Sequence, residues 1–359
     1  MFFKKKSHIS LFAAQKAQLY PEKNYTALSK NGYEKNIIVY RCISLIAKSA
    51  ASIPLILYNK THEIHDNHPL LDLIREPVLH MNYHSFMEKV ISHYLLFGNV
   101  YLHFQDGQFR FLKPETVSIV TNQFGEITHY KTEDQKMHCV EDVLHLKTFH
   151  PRQEHYGLSP VEAAIQAIEY YNSIVMHNIS LIKNGGRPTG ALMLENEYMT
   201  SIQREELRRN VNAYYTGEIN AGRILVLEGK FKWIEMGLSP KDMDFLSAKN
   251  GAACEIATSF GVSPILVGLI DKASYNNYKE ARMQLWEDTV IPLLTKIISM
   301  LNTFLHRCYD SDLHFEFNTD HISALTSQHD EKWSKLNACK FLTDDEKREA
   351  VGYSPKDVS

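Results

Sequence analysis

WIEMGLSPKDMDFLSAKNGAACEIATSFGVSPILVGLIDKASYNNYKEARMQLWEDTVIPLL, residues 233–294, contains two helical patterns separated by a polar break, DKASYNNY, at Asp271–Tyr278. The second pattern, from about Lys279 to Arg307, places apolar residues three and four positions apart, which predicts a long helix. Pro292 inside it predicts a kink. A break rich in Tyr and Asn is poor chemistry for a catalytic pocket. Its position predicts a loop that projects into an open space.

Two long helices are predicted upstream of the break. The first begins at Ser159–Glu162, where Ser is an N-cap, Pro takes the first helical position and Glu completes a capping box. It runs to a glycine-rich stop at Asn184–Gly186. The second begins in the same way at Ser239–Asp242 and ends near Phe260, before a short helix. The two helices bracket residues 187–238, an insert with predicted strands and one helix capped by Thr200 and Gln203.

The N-terminal half alternates helical and strand patterns. The apolar run Ile37–Tyr58 begins with an amphipathic helix, because its polar residues Arg41, Ser44, Lys48 and Ser52 fall at helical spacing. A second helix is predicted at about 85–96, and Asp106-Gly107 is a hairpin signal between two strand patterns. A strand at 313–317 precedes a polar tail with Trp333 as its large apolar residue. The predicted fold class is α+β.

Composition excludes several function classes. The 359 residues carry 39 Lys and Arg against 42 Asp and Glu, a net charge of -3, so there is no overall basic excess of the kind typical of nucleic-acid-binding proteins. The five cysteines include no CxxC pair, which favours free thiols in a reducing compartment. Every long apolar run contains charged residues, which disfavours a membrane-associated pore. The basic start of the chain, residues 1–32, is predicted to be a mobile tail.

Several short motifs occur in a fixed order between residues 36 and 355. They are Ser52-Ile53-Pro54-Leu55, His68-Pro69-Leu70-Leu71, Gly98-Asn99-Val100-Tyr101, Tyr156-Gly157-Leu158-Ser159-Pro160, Asn184–Gly190, Glu255-Ile256-Ala257, Phe260-Gly261-Val262-Ser263-Pro264 and Leu342–Pro355. By these motifs the chain resembles the portal proteins of tailed bacteriophages, in the shorter branch of that family. Two positions depart from the family pattern. Tyr275-Asn276-Asn277 stands where Tyr-Ser-Asn is frequent, and Asp345 stands where Asn is common.

The resemblance implies a ring, usually of twelve subunits, at one capsid vertex with DNA passing through its centre. It also implies a division of the chain into the parts of a portal subunit. These are the mobile tail 1–32, a wing 33–155, a stem helix 156–186, a clip 187–238, a second stem helix with a short helix 239–270, a tunnel loop 271–278, a tunnel helix 279–312, and the rest of the wing with the C-terminal tail 313–359.

Site residues and partners are implied in the same way. The residues expected to approach double-stranded DNA are Lys272, Tyr275, Asn276, Asn277 and Tyr278. The residues expected to dock partners on the clip are Arg204, Glu205, Arg208, Arg209 and Glu218. The implied partners are the terminase large subunit, the major capsid protein or scaffold, and a head–tail adaptor. The resemblance implies location in the virion after assembly in the host bacterial cytoplasm, with no membrane partner, no cofactor and no catalysis.

Three alternatives concern metals and phosphate. A metal-dependent nucleic-acid-processing enzyme would use carboxylates such as Asp242 and Asp244, but no convincing acidic constellation accompanies them. His62, His65 and His68 have ligand-like spacing, yet Asn67 and Pro69 interrupt any helix there, so a solvated turn is favoured over a zinc site. Gly185-Gly186-Arg187 follows a helix and lacks the Lys-Ser/Thr of a P-loop, so a helix C-cap is favoured over phosphate binding.

Overall fold

The computed structural model describes residues 28–65, 67–183, 190–194, 200–214, 231–235, 244–269, 275–309, 312–319, 322, 324–325, 336, 338 and 343–350. A π-helical segment, Leu28–Glu34, comes first. The α-helices in chain order are α1 (Ile37–Ala51), α2 (Pro69–Arg75), α3 (Tyr83–Phe97), α4 (Pro160–Ala163), α5 (Ile165–Lys183), α6 (Ser201–Tyr214), α7 (Phe245–Ser259), α8 (Tyr275–Gln284), α9 (Ile291–Tyr309) and α10 (Asp344–Ala350).

Ten strands form four small antiparallel sheets in the described residues, and this confirms the α+β class. The strands are β1 (Leu55–Tyr58), β2 (Asn99–Gln105), β3 (Gln108–Leu112), β4 (Ser118–Thr121), β5 (Ile127–Lys131), β6 (Met137–Cys139), β7 (Val143–Lys147), β8 (Gly190–Leu194), β9 (Phe231–Glu235) and β10 (His314–Phe317). The sheet orders are β1-β10, β3-β2-β7, β4-β5-β6 and β8-β9. Strand β1 therefore pairs with β10, from the far end of the chain.

Local signals explain the elements of the N-terminal half. Asn36 caps α1 by accepting hydrogen bonds from the Ile38 and Val39 amides, and the helix buries the apolar face that was predicted. Helix α3 ends at Gly98, which adopts the left-handed conformation that a helix C-cap requires. The predicted Asp106-Gly107 hairpin is confirmed, because both residues have positive φ between β2 and β3. Helices α1 and α3 pack together in the main core.

The last five residues of the predicted N-terminal tail, 28–32, lie in the described part of the chain. Residues 28–32 belong to the π-helical segment, and Gly32 is buried. A Cβ on Gly32 would lie 2.8 Å from Val161 Cγ1, and the Asn172 side chain donates a hydrogen bond of 2.9 Å to the Asn31 carbonyl. The close approach of Gly32 to Val161 ties this part to α4, and the Asn172 hydrogen bond ties it to α5. Residues 1–27 lie outside the described part of the chain.

A buried junction connects α3 and β2 to the start of α4. The Asn99 side chain, fully buried, accepts a hydrogen bond of 2.9 Å from the Gly157 amide. Ser159 Oγ caps α4 by accepting from the Val161 amide, and it donates toward the carbonyls of Leu95 and Leu96 at 2.9 and 2.8 Å. The predicted Ser159 cap is confirmed. The chain therefore leaves the sheet β3-β2-β7 through a contact in which little can move.

Gly157 is the closest approach in this junction. A Cβ added there would lie 2.0 Å from the Gly98 carbonyl oxygen and 2.7 Å from the Thr148 amide nitrogen, both backbone atoms. Thr148 itself donates its amide to the Gly98 carbonyl at 3.0 Å, and its hydroxyl donates to the Leu158 carbonyl at 2.8 Å. Glycine is required because two backbone segments come into direct contact.

Helices α5 and α7 pack against each other as an antiparallel pair. The ring of His177 lies 4.9 Å from that of Phe245, and the Lys249 ammonium lies 5.7 Å from the Tyr171 ring. Residue numbers rise along one helix as those of its partners fall along the other, so the two helices run in opposite directions. The single helix predicted from Ser159 is interrupted at Ala164, between α4 and α5. The predicted start of the second helix, at Ser239–Asp242, lies outside the described residues, and α7 begins at Phe245.

Helices α8 and α9 form one continuous helix, interrupted by a π-helical turn at Leu285–Val290. In that turn the Ile291 amide donates to the Trp286 carbonyl, five residues back. The turn immediately precedes Pro292, whose ring would clash with the carbonyl four residues back in a regular α-helix. The irregularity predicted from Pro292 thus takes the form of a widened turn.

By length and composition, the helical stretch Asn276–Tyr309 qualifies as a possible membrane span. The same composition is typical of a core helix, and α9 has buried side chains throughout its length. The buried residues are Leu294, Ile297, Ile298, Leu301, Phe304 and Leu305. Phe304 lies 6.1 Å from Phe109 of β3, so the helix packs against the body of the protein.

Candidate functional site

Four of the five residues expected to approach DNA, Tyr275–Tyr278, lie at the start of α8. The polar break predicted at Asp271–Tyr278 ends earlier than expected, because Tyr275–Tyr278 form the first turn of the helix. The helix extends back to Tyr275 because the side chains of Ala281, Leu285 and Trp286, further along it, are buried and stabilise it by packing. Lys272 and the rest of the break lie outside the described residues.

The first turn of α8 presents polar side chains to solvent. Asn276, Asn277 and Tyr278 are exposed, with Tyr278 at 44%. Lys279 and Glu280, which follow, are exposed as well, and their charges offset one another. A helix N-terminus carries about half a positive elementary charge. This end of the helix therefore offers hydrogen-bonding groups and a weak positive potential, with little net side-chain charge.

The segment between α7 and α8 packs against the helix that carries the exposed first turn. Gly261, at φ 67, ends α7 in the left-handed region, and its carbonyl accepts a hydrogen bond of 2.8 Å from Thr289 Oγ1. Pro264–Val267 then forms a 3₁₀ turn against which α8 packs. Val290, at the end of the π turn, is fully buried. The exposed first turn is thus carried on a helix whose following turns are anchored in the core.

The predicted docking residues lie on the insert. Strands β8 and β9 pair antiparallel from Gly190↔Glu235 to Leu194↔Phe231. Helix α6 begins with the predicted capping box, because Thr200 Oγ1 accepts from the Gln203 amide and Gln203 Oε1 accepts from the Thr200 amide. One of the strands that the sequence predicts for the insert falls at 223–227, which lies outside the described residues.

Four of the five predicted docking residues share helix α6. Arg204, Glu205, Arg208 and Arg209 are all exposed, whereas Leu207 and Val211 are partly covered. Arg209 Nε lies 3.8 Å from Glu205 Oε1, an exposed pair one turn apart that contributes little to stability. Glu218 lies outside the described residues. The structure therefore brings three arginines and one glutamate together on one exposed helix.

The carboxylates considered for a metal-dependent enzyme do not form a metal site in the described residues. Asp244 is the N-cap of α7, where its carboxylate accepts from the Ser247 amide at 3.4 Å. Asp242 lies outside the described residues, as do Gly185-Gly186-Arg187. Asp244 thus has a structural role at a helix start, and the described residues offer no partner carboxylate for it in a cluster of metal-ligand type.

The three histidines of the His62, His65 and His68 motif take separate roles. His68 Nδ1 caps α2 by accepting from the Leu70 amide at 3.2 Å. His65 donates its backbone amide to the Leu57 carbonyl. The side chain of His62 lies beside β10, where its ligand atoms are close to those of His314 and Glu316. Sequence reasoning missed this grouping. The signal available was His-x-Glu in a strand, a spacing that puts both side chains on one face.

Comparison with known proteins agrees with this architecture. A model of the phage portal protein family matches residues 37–352. A protein of Rickettsia bellii (strain RML369-C), described only as uncharacterized, is 39% identical over 338 residues, 90% of this chain and 88% of the relative. The portal protein of Enterobacteria phage HK97 is 23% identical over 298 residues, 79% of this chain and 70% of the relative.

Solved structures give the same result. The chain is similar to one in the neck of an empty gene transfer agent particle computed with C6 symmetry, with a TM-score of 0.75, 31% identity, and coverage of 96% of this chain and 98% of that chain. A chain from the neck of the native particle, computed with C12 symmetry, matches with a TM-score of 0.72 and 30% identity, covering 94% and 96%.

The mixed body, the antiparallel helix pair and the small insert between them define a portal fold. The chain belongs to the phage portal protein family. The resemblance drawn from its short motifs is confirmed, and two of those motifs, Gly98-Asn99 and Gly157–Pro160, meet in the buried junction.

Proposed function

We propose that the chain assembles into a ring, of twelve copies in the particle, that stands at one capsid vertex and conducts double-stranded DNA during packaging and ejection. Family membership carries this proposal. The similar chains from particle necks computed with sixfold and twelvefold symmetry support a closed ring. In this proposal the ring assembles in the host bacterial cytoplasm, nucleates the procapsid together with the major capsid protein or scaffold, and remains in the virion.

Exposed apolar side chains support assembly with further copies. Several large apolar residues on α1 and α5 are more than one third exposed in the single chain, namely Ile37, Tyr40, Tyr170, Met176, Ile179 and Ile182. On α5, three of them, Met176, Ile179 and Ile182, follow the last buried residue of the helix, Ile174. Large apolar residues concentrated on two helices are typical of an interaction surface. Neighbouring subunits of a ring would cover them.

The first turn of α8 is the part of the proposed channel wall that meets DNA. Affinity for duplex DNA rises with each phosphate that a lysine or arginine neutralises, and a twelvefold ring multiplies every such charge. Exposed Asn276 and Asn277 supply hydrogen-bonding groups that contact phosphates without binding them tightly. The offsetting charges of Lys279 and Glu280 keep the same region near neutral. Lys272 and Tyr275 complete the proposed contact.

Helix α6 is the proposed docking surface for the terminase large subunit and, later, the head–tail adaptor. Its exposed arginines Arg204, Arg208 and Arg209 favour partners that present acidic side chains. Glu205 adds the opposite charge and thereby favours one orientation of the partner. Glu218 belongs to the same proposed surface.

DNA retention in assembled particles tests the channel proposal. Particles carrying Asn276→Ala, Asn277→Ala and Tyr278→Ala together should retain less nuclease-protected DNA than wild-type particles. Gln284→Ala is the matched control, because Gln284 is an exposed amide of the same helix that lies beyond the first turn. The control should retain the wild-type amount.

A gain-of-charge variant sharpens the test. Asn276→Lys should slow packaging, and added salt should relieve the effect, since twelve new charges would bind passing phosphates. Ring formation is measured in parallel by mass photometry, so that an assembly defect is distinguished from a channel defect. Wild-type DNA retention in every first-turn variant, in rings of normal size, would refute the proposed role of this turn.

A further inference from the structure

Three potential metal ligands converge on one face of the sheet β1-β10. The ligand atoms of His62, His314 and Glu316 all lie within 4.8 Å of one another. His314 Nε2 and Glu316 Oε1 are 3.0 Å apart. Zinc bonds of about 2.0–2.2 Å in a tetrahedral site place ligand atoms about 3.3–3.6 Å apart, so small side-chain rotations would complete the set.

The strand register explains why these ligands share a face. His314 and Glu316 are two residues apart in β10, so their side chains point to the same side of the sheet. Tyr58 pairs directly with His314 across the ladder and lies on that side as well. The ring of Tyr58 stacks on the ring of His62 at 4.3 Å with an interplanar angle of 5°. Stacking on Tyr58 therefore orients the His62 imidazole toward the strand that carries the other two ligands.

The backbone at His62 is held in an unfavourable conformation. His62 has a φ of 61°, in the left-handed region that residues with a Cβ rarely adopt. The turn that holds it is built by Asn59, whose side-chain oxygen accepts from the Thr61 and Glu63 amides, and whose carbonyl accepts from the His62 amide. Glu63 bonds back to the Asn59 side chain and is thereby kept within the turn. Strain of this kind concentrates at ligand sites and other functional positions.

We propose that His62, His314 and Glu316 bind a divalent transition metal, with Zn²⁺ as the preferred ion. Two imidazole nitrogens and one carboxylate oxygen are ligands that zinc accepts, and three protein ligands leave its fourth position to water. The neighbouring Lys60 ammonium pairs with Asp312, so its charge is offset at this end of the sheet.

The bound ion would connect parts of the chain that are distant in sequence. His62 lies in the turn after β1, while His314 and Glu316 lie in β10, which follows α9. The two strands otherwise meet through a four-residue ladder, Leu55↔Phe317 to Tyr58↔His314. A metal that crosslinks the open end of this ladder would stabilise the pairing of the first and last strands, because it binds only when both are in place.

Zinc titration of the full-length assembled protein tests the proposal. After treatment with a chelator and desalting, calorimetry with ZnCl₂ should detect one tight site per chain, and zinc should raise the thermal unfolding midpoint. His62→Gly should weaken this site at least about a hundredfold, the scale on which even outer-shell changes act at metal sites. Glycine tolerates the positive φ of residue 62, so this variant should fold at least as well as wild type without zinc.

His65→Ala is the matched control, because His65 is an exposed histidine of the same motif that lies outside the cluster. It should leave zinc affinity and the zinc-induced midpoint shift unchanged, whereas Glu316→Gln should reduce both. Co²⁺ gives an independent measurement, since a site with nitrogen and oxygen ligands changes its visible absorption spectrum and His62→Gly should remove that change. The chain has 18 histidines, so the variants are needed to distinguish zinc binding at this site from binding at other histidines. Tight zinc binding that survives His62→Gly, or that His65→Ala removes, would overturn the assignment.

Discussion

Replacement of Asn99 by alanine should destabilise the whole protein, although Asn99 lies far in sequence from the residues of the proposed DNA contact. Its side chain is fully buried and accepts from the Gly157 amide at 2.9 Å, contacts His145 Nε2 at 3.1 Å and donates to the Phe97 carbonyl at 3.0 Å. Each such bond contributes about 0.5–1.5 kcal/mol, and buried groups that lose a partner add a desolvation cost. We expect Asn99→Ala to lower the free energy of unfolding by about 3 kcal/mol.

Asn122→Ala is the control for this estimate. Asn122 makes a comparable set of hydrogen bonds, accepting from the Phe124 and Glu126 amides and donating to the Glu126 carboxylate, but it lies in a solvent-accessible turn. Water can replace those partners, so the cost should be about 1 kcal/mol or less. The difference between the two variants isolates the effect of burial from the effect of losing an amide side chain.

Urea unfolding at fixed protein concentration, followed by tryptophan fluorescence, measures both variants. Trp286 is buried and reports on the core near the π turn. The midpoint should shift without a change in slope, because the surface exposed on unfolding stays the same. If Asn99→Ala and Asn122→Ala shift the midpoint equally, the junction does not have the energetic role assigned to it.

Two further predictions concern the same region. Gly157→Ala should prevent stable folding or cost several kcal/mol, because its Cβ would lie 2.0 Å from the Gly98 carbonyl oxygen. The control, Gly251→Ala in α7, places a Cβ with nothing within 4 Å and should stabilise the protein by about 0.5–1 kcal/mol. Equal unfolding temperatures for the two variants would contradict this prediction. Burial, with smaller effects of Lys147 and His155, lowers the pKa of His145 to about 3. The unfolded chain takes up that proton near pH about 6.5, so this contribution to stability is present above that pH and is lost as pH falls toward 3. His145→Gln should therefore flatten the decline in stability measured between pH about 6 and 4, and an unchanged slope would exclude this role.

Signals that depend on near neighbours were predictable from the sequence. The Ser159 cap, the Thr200 and Gln203 capping box and the Asp106-Gly107 hairpin each involve residues within four positions of one another. Their physical causes act locally, so one short segment contains all the information needed.

Contacts between distant segments were not predictable in this way. Asn99 and Gly157 are 58 residues apart, and neither residue carries a periodic pattern that points to the other. His62 meets His314 and Glu316 only because β1 and β10 pair, a pairing that strand propensity alone does not select. The start of α8 was misplaced for a related reason. Asn and Tyr are weak helix formers, but burial of Ala281 and Leu285 extends the helix back to Tyr275.

The short junction at Gly98 and Gly157 also determines the direction in which the long helix α5 extends. Helix α5 has 19 residues, so it extends about 28 Å from that base toward the insert. A tilt of about 5° at the base would displace the far end by about 2.4 Å, close to the length of a hydrogen bond. Substitutions buried in the junction would therefore misalign the proposed docking helix α6 while leaving every one of its side chains intact.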